Sequence, residues 1–162
     1  MIRPAQEKDD PAIASLWNGM IKNTLATFTD VTKSASDIAE LRQMPSSPCL
    51  VYVDAHAVLG FARFGSFRTG PGYAATCEHS VVVADQAHGK GVGTELMRAL
   101  MAEAKAEGIH VMVAAISSAN PGAQRFHARL GFVDVGRMPE VGRKAGQWLD
   151  LVLMQKILGA AD

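Results

Sequence analysis

Val81-Val82-Val83-Ala84-Asp85-Gln86-Ala87-His88-Gly89-Lys90-Gly91-Val92-Gly93-Thr94 joins a β-branched run to a helix through a glycine-rich turn. Val81, Val82 and Val83 suit a strand buried on both faces, because β-branched side chains fit a pleated surface. Asp85 ends that strand. Gly89, Gly91 and Gly93 let the backbone turn sharply and approach a ligand with no Cβ in the way. The helix that follows begins with N–H groups that have no partner inside it, and a pyrophosphate would satisfy them. The spacing Gly-x-Gly-x-Gly is not the Gly-x-Gly-x-x-Gly of dinucleotide sites, and Lys90 is followed by Gly91 rather than by the Ser or Thr of a P-loop. On this stretch alone, a strand-to-helix turn with no ligand is the competing reading.

With 162 residues, 48% of them hydrophobic and 20% charged, the chain has the size and composition of one globular domain, residues 1–162. Lys plus Arg and Asp plus Glu are equal at 16 each, so no basic excess points to nucleic acid or an anionic membrane. A small-molecule partner fits better. Cys49 and Cys77 are the only cysteines; they read as buried small hydrophobes, and with the scattered histidines they lack the paired spacing of a zinc site, so no metal is expected. The absence of a long apolar run or a signal-like N-terminus points to the cytoplasm.

Working outward from the turn, Tyr73 to Val83 reads as a long central strand, and Val92, Leu96, Ala99, Leu100 and Ala104 give the next helix an apolar face that Gly108 ends. Upstream lie a short strand at Ile2 and Arg3, and a helix begun by Asp9, Asp10 and Pro11 and running to about Thr27. A second helix, capped by Ser36, spans Asp37 to Met44, and a hairpin pairs Leu50 to Val53 with Val58 to Phe64. Downstream lie a strand from Val111 to Ile116, a helix opened by Asn120 and Pro121 that runs to Leu130, and a closing hairpin from Val133 to Val141 and Trp148 to Met154. The order is that of a layered α/β domain.

The cradle resembles the acetyl-CoA signature of the GNAT N-acetyltransferases, which reads Arg or Gln, two residues, Gly, one residue, then Gly or Ala; His88 stands at its first position. Three further stretches resemble one branch of that superfamily, the phosphinothricin and methionine sulfone or sulfoximine acetyltransferases. They are Cys77-Glu78-His79-Ser80-Val81, then Asn120-Pro121-Gly122-Ala123-Gln124-Arg125-Phe126-His127 with Leu130-Gly131-Phe132, and Glu140-Val141-Gly142-Arg143-Lys144 with Gln147-Trp148-Leu149-Asp150-Leu151. The resemblance covers nearly the whole chain. It implies a twisted mixed sheet flanked by helices and splayed between its fourth and fifth strands, acetyl-CoA as co-substrate, and a homodimer, for which Trp148 would serve as an interface aromatic unless it is a core residue.

Acetyl transfer to an amine needs a neutral nucleophile, a polarised thioester carbonyl and a proton for the departing thiolate. Glu78, just before the Val run, is the candidate base, through a water; otherwise it is an ordinary strand carboxylate. The family implies that Val81, Val82, Val83, His88, Gly89, Lys90, Gly91, Val92, Gly93 and Thr94 hold the cofactor, with a main-chain N–H at or near Val83 meeting the acetyl oxygen. It also implies that His127 protonates the thiolate, and that Asn120, a helix cap by spacing, meets the pantetheine amide. His79, on the opposite strand face from Glu78, reads as structural. For the acceptor, Phe28 is either a lid or a pocket wall. The loop Phe67-Arg68-Thr69-Gly70-Pro71-Gly72-Tyr73 offers Arg68 between aromatics to a carboxylate or a sulfone, sulfoximine or phosphinate oxygen, with Gly72, Tyr73 and Glu78 around the same substrate. The expected activity is N-acetylation of a small amino acid analogue. The alternatives are a non-catalytic acyl-CoA-binding regulatory module, which would need neither Glu78 nor His127, and an acetyltransferase for another small amine.

Overall fold

The structure is a computed structural model that describes residues 1–159. Seven strands form one sheet in the order β1-β2-β3-β4-β5-β7-β6: β1 Ile2–Pro4, β2 Cys49–Asp54, β3 Ala57–Ser66, β4 Thr76–Val83, β5 Val111–Ser117, β6 Val133–Lys144 and β7 Gln147–Ile157. All neighbours pair antiparallel except β4 and β5, which are parallel. Four helices flank the sheet: α1 Asp10–Asn23, α2 Ala35–Gln43, α3 Val92–Ala106 and α4 Pro121–Arg129. On one face, α3 buries Leu96, Met97 and Leu100 against Ala62, Phe64, Cys77 and Met112; on the other, Ile13 of α1 and Ile38 of α2 cover Val51, Phe61 and Val82. Each fully buried aliphatic or aromatic side chain stabilises the fold by roughly 1.5–3 kcal/mol.

Several strands run a few residues longer than the sequence expectation, and three boundaries differ for a clear local reason. Helix α1 stops at Asn23, not near Thr27, because Thr24 is already extended and its hydroxyl turns back to Met20 O at 2.7 Å. Helix α2 is capped by Ser34, not Ser36: Ser34 Oγ accepts the Asp37 N–H while the Asp37 carboxylate accepts the Ser34 N–H, a reciprocal pair that Ser36 does not make. Strand β4 begins at Thr76, not Tyr73, because Pro71–Tyr73 form a single 3-10 turn.

The parallel ladder between β4 and β5 is short. It joins Thr76 to Val111, Cys77 to Met112 and Glu78 to Val113, and then stops, although β4 continues to Val83 and β5 to Ser117. The sheet therefore opens after Glu78, as the splayed fold requires.

Candidate active site

Opening the sheet leaves main-chain groups facing a gap. The Ala84 N–H donates to Leu59 O on the β3 side at 2.8 Å. Alternation along the strand then turns the N–H groups of Val81 and Val83 toward β5, where no ladder partner remains. The gap widens into a cleft of about 870 Å³. Its walls are β4 from Glu78 to Val83, the turn at His88, Gly89 and Gly91, and the α3 start from Val92 to Thr94. They continue along β5 from Ala114 to Ile116 and α4 at Asn120, Ala123, Phe126 and His127, and close with Trp17, Met20, Ala26 and Thr27 from α1 and the loop after it.

The cradle forms as its glycines predict. Gly89 and Gly91 adopt φ of 74° and 84°, the left-handed region that glycine enters without penalty. Gly93 is favoured for a different reason: a Cβ there would lie 3.3 Å from the Phe126 ring, so the ring would have to shift slightly, and 3.5 Å from Val83 Cγ2, where α3, α4 and β4 converge. The first helical hydrogen bond of α3 runs from the Glu95 N–H to Gly91 O at 3.0 Å, so the amides of Val92, Gly93 and Thr94 precede it and are free for an anion. These residues fit a pyrophosphate. The His88 ring turns back, and its Nε2–H donates to Val83 O at 2.9 Å, tying the end of β4 to the turn. Lys90 is exposed outside the cleft wall, and its N–H is spent on Ala87 O at 3.4 Å.

Glu78 projects from β4 on the same face as Ser80 and Val82, at the point where the ladder ends. Its side chain is open to solvent at the cleft, yet the surrounding protein removes enough water to raise its pKa. That change favours a carboxylate able to accept and hold a proton.

His79 points to the other face and meets His127, an association that the sequence reading missed. Their Nε2 atoms are 2.9 Å apart; His79 Nδ1–H donates to Val113 O at 3.0 Å and His127 Nδ1–H to Ala123 O at 2.7 Å. Two neutral imidazoles carry two protons, so these three contacts are one proton short. Burial lowers the pKa of both rings, His79 to about 3, with His127 beside it as the second cause. Phe132 packs on both rings, with centroids 5.5 and 5.2 Å away. Asn120 caps α4, its Oδ1 accepting the Ala123 N–H at 3.1 Å, and also lines the cleft.

The residues expected around the acceptor are placed differently from one another. Arg68 is exposed, its guanidinium 5.7 Å from the Tyr73 ring centre, and Tyr73 also meets Phe67 at 6.2 Å. Arg68, Gly72 and Tyr73 lie outside the cleft wall, in a loop anchored beside Glu78's strand by the Phe67 N–H to Thr76 O at 3.4 Å. Phe28 is also outside that wall; its ring covers Gly142, where any Cβ would overlap it.

That contact explains the closing motif. Lys144 Nζ donates to Ile21 O at 2.6 Å and to Thr24 O at 2.8 Å, taking up carbonyls at the end of α1. Asp150 accepts the Glu140 N–H at 2.9 Å and Arg137 Nε–H at 2.8 Å, fixing the bulge between Met138 and Gly142; these bonds hold its carboxyl below the usual range. The β6–β7 hairpin thus clamps the loop that carries Ala26 and Thr27. Trp148 is not a core residue: it is 58% exposed, stacked with Arg143 at 4.7 Å.

Comparison with known proteins agrees with this geometry. The methionine sulfoximine and methionine sulfone acetyltransferase of Pseudomonas aeruginosa is 42% identical over 158 residues, covering 95% of this chain and 92% of that protein. A Salmonella typhimurium protein described as an acetyltransferase, solved with its cofactor acetyl-CoA, superposes with a TM-score of 0.93 at 40% identity, covering 100% of this chain and 97% of that one. A Sinorhizobium meliloti phosphinothricin acetyltransferase, solved in complex with acetyl-CoA, gives 0.92 at 31% identity, covering 98% and 88%. A profile of the acetyltransferase (GNAT) family matches residues 17–132, and with a gapped β4–β5 ladder leading into a glycine cradle, this chain belongs to that family.

Proposed function

We propose that the protein transfers the acetyl group of acetyl-CoA to the α-amino group of a small amino acid with a tetrahedral polar tip: methionine sulfone, methionine sulfoximine or phosphinothricin. The observation that carries this reading is the position of Glu78, where the β4–β5 ladder ends, in the same cleft as the free amides at the start of α3. The 42% identity to an acetyltransferase of that substrate class supports the choice of acceptor.

In this reading Val92, Gly93 and Thr94 hold the pyrophosphate and the pantetheine arm runs through the gap past Asn120. Glu78 takes the ammonium proton through a water, freeing the amine lone pair. The nitrogen attacks the thioester carbonyl, whose oxygen is met by the N–H of Val83 or Val81; the C–N bond forms, the nitrogen gives up its second proton, the C–S bond breaks, and the thiolate leaves. His127 passes that proton to sulfur, so neither buried ring carries a standing charge, and His79 holds the His127 ring in place. Arg68 and Tyr73, in the loop beside Glu78, meet the polar tip, with Phe28 and Gly72 shaping the approach.

The enzyme works as a homodimer. Supporting this, the β6–β7 hairpin at the sheet edge exposes Val133, Val135, Met138, Val141, Trp148 and Ile157, an apolar edge that would otherwise invite unspecific pairing. The cytoplasm suits its unpaired buried thiols, Cys49 and Cys77, whose pKa values burial raises to about 11 and about 12. The test is thiol release from acetyl-CoA with the three amino acids against spermidine, an aminoglycoside and a peptide N-terminus. Higher kcat/KM for the amino acids is expected, and preference for any of the other three would overturn the assignment.

A further inference from the structure

Arg63 is a charged side chain of β3 that has no anion and lies just outside the cleft wall. In the β3–β4 ladder Phe61 pairs with Val82, Arg63 with Ser80 and Gly65 with Glu78. Phe61 and Val82 face the α1–α2 layer, so alternation places Arg63, Ser80 and Glu78 on that same face. Ser80 and Glu78 both line the cleft.

The guanidinium lies along β3 toward Gly65. Its Nη2 donates to Ser47 Oγ at 2.6 Å, and a Cβ built on Gly65 would sit 3.4 Å from the same Nη2. Directly opposed side chains in an antiparallel pair have Cβ atoms about 4.5–5.5 Å apart, so a group resting over Gly65 is one strand away from Glu78. Among the described residues Arg63 makes no ion pair, and its Nε is buried with no hydrogen-bond partner. Its one polar side-chain partner is a neutral hydroxyl that already donates to Phe64 O at 2.8 Å. The nearby Cys49 thiol stays neutral, its pKa raised to about 11. A partly buried guanidinium with an orphaned donor has unmet demand for a carboxylate, which its planar fork would accept through two parallel bonds once the side chain turns from Ser47, since Nε is closed to solvent where it now lies.

We propose that Arg63 is a specificity-determining residue that receives the α-carboxylate of the acceptor amino acid. In an α-amino acid the amine and the carboxylate are attached to the same carbon, so an amine presented to Glu78 through a water holds its carboxylate within reach of the neighbouring strand. The assignment rests on the proposed function and divides the acceptor between two cations: Arg63 takes the end that all amino acids share, and the exposed loop with Arg68 is left for the tip.

The test compares methionine sulfone, its carboxamide and phosphinothricin as acceptors for wild type, Arg63→Met and Arg63→Lys. Arg63→Met should lower kcat/KM for methionine sulfone by about 10- to 100-fold, mainly through KM, and leave the carboxamide within about threefold, with Arg63→Lys between. Melting of Arg63→Met should be no lower than wild type, since an unpaired charge leaves the interior; if it is lower, Arg63→Lys carries the comparison. Equal losses on acid and amide, or a loss confined to phosphinothricin, would overturn the carboxylate assignment. Calorimetric titration of methionine sulfone and its carboxamide into the CoA-loaded protein reads the same contact without turnover. A wild type that binds the acid through Arg63 but acetylates none of these amino acids would overturn the proposed function and uphold this contact; acetylation with no response to Arg63→Met would do the reverse.

Discussion

Replacing Gly91 with alanine separates the cost of the cradle's shape from its use. Gly91 caps α3 at φ 84°, ψ −8°, and the nearest atom to a Cβ built there is Glu95 Oε1 at 4.0 Å. The penalty is therefore conformational, not steric. Holding alanine in the left-handed region costs about 1–2 kcal/mol, which for a domain of this size lowers Tm by roughly 2–8 °C. If the turn relaxes instead to negative φ, the amides of Val92, Gly93 and Thr94 turn away from the pyrophosphate; losing one such charge-assisted bond, worth about 1.5–3 kcal/mol, raises KM for acetyl-CoA roughly 10- to 150-fold. Differential scanning fluorimetry and steady-state rates at varied acetyl-CoA measure the two quantities on the same preparation. Expected is a KM increase with a smaller change in kcat, and a Tm no more than a few degrees lower. An unchanged KM beside a lowered Tm would refute the cradle, because the turn would then be strained without holding the cofactor.

Lys144→Ala removes the cation from Ile21 O and Thr24 O; a stability loss of about 1–2 kcal/mol and a higher KM for the amino acid are expected, while an unchanged acceptor KM would detach the hairpin from the site. Unfolded histidines bind protons below about pH 6.5, whereas burial holds folded His79 to about 3 and lowers His127 as well. Acid therefore favours the unfolded chain, so this contribution is full above pH 6.5 and is lost as pH falls toward 3, at up to about 1.4 kcal/mol per unit for each ring. Urea melts across that window should show a shallower slope for His79→Gln, and parallel slopes would remove the pair from the acid response. Trp148→Glu places a charge on the exposed apolar edge; sedimentation should find wild-type dimers and variant monomers at micromolar concentration, and a monomeric wild type would refute the dimer.

The glycine turn, its flanking strand and the amphipathic faces were legible because each follows from local chemistry: Gly89 and Gly91 need positive φ, and Leu96 and Leu100 recur at helical spacing. The closing Gly142 and Lys144 were recognisable as a pattern but not as a mechanism, since their partners Phe28, Ile21 and Thr24 lie more than a hundred residues away. The α2 cap was misplaced by two residues because Ser34 and Ser36 offer the same hydroxyl and only the carboxylate of Asp37 chooses between them. His79 carried no signal of its own, as its contact with His127 spans 48 residues and needs the sheet to bring the faces together. Arg63 reads as an ordinary strand residue until its neighbours are found to hold no anion.

The central claim is that one carboxylate, placed where the sheet opens, activates the amine in the same cleft that binds acetyl-CoA. Glu78→Gln keeps the shape and removes the base. With methionine sulfone as acceptor, kcat should fall by about 10²- to 10⁴-fold while KM for acetyl-CoA stays the same. Undiminished turnover at a pH where the amine is mostly protonated would contradict the account.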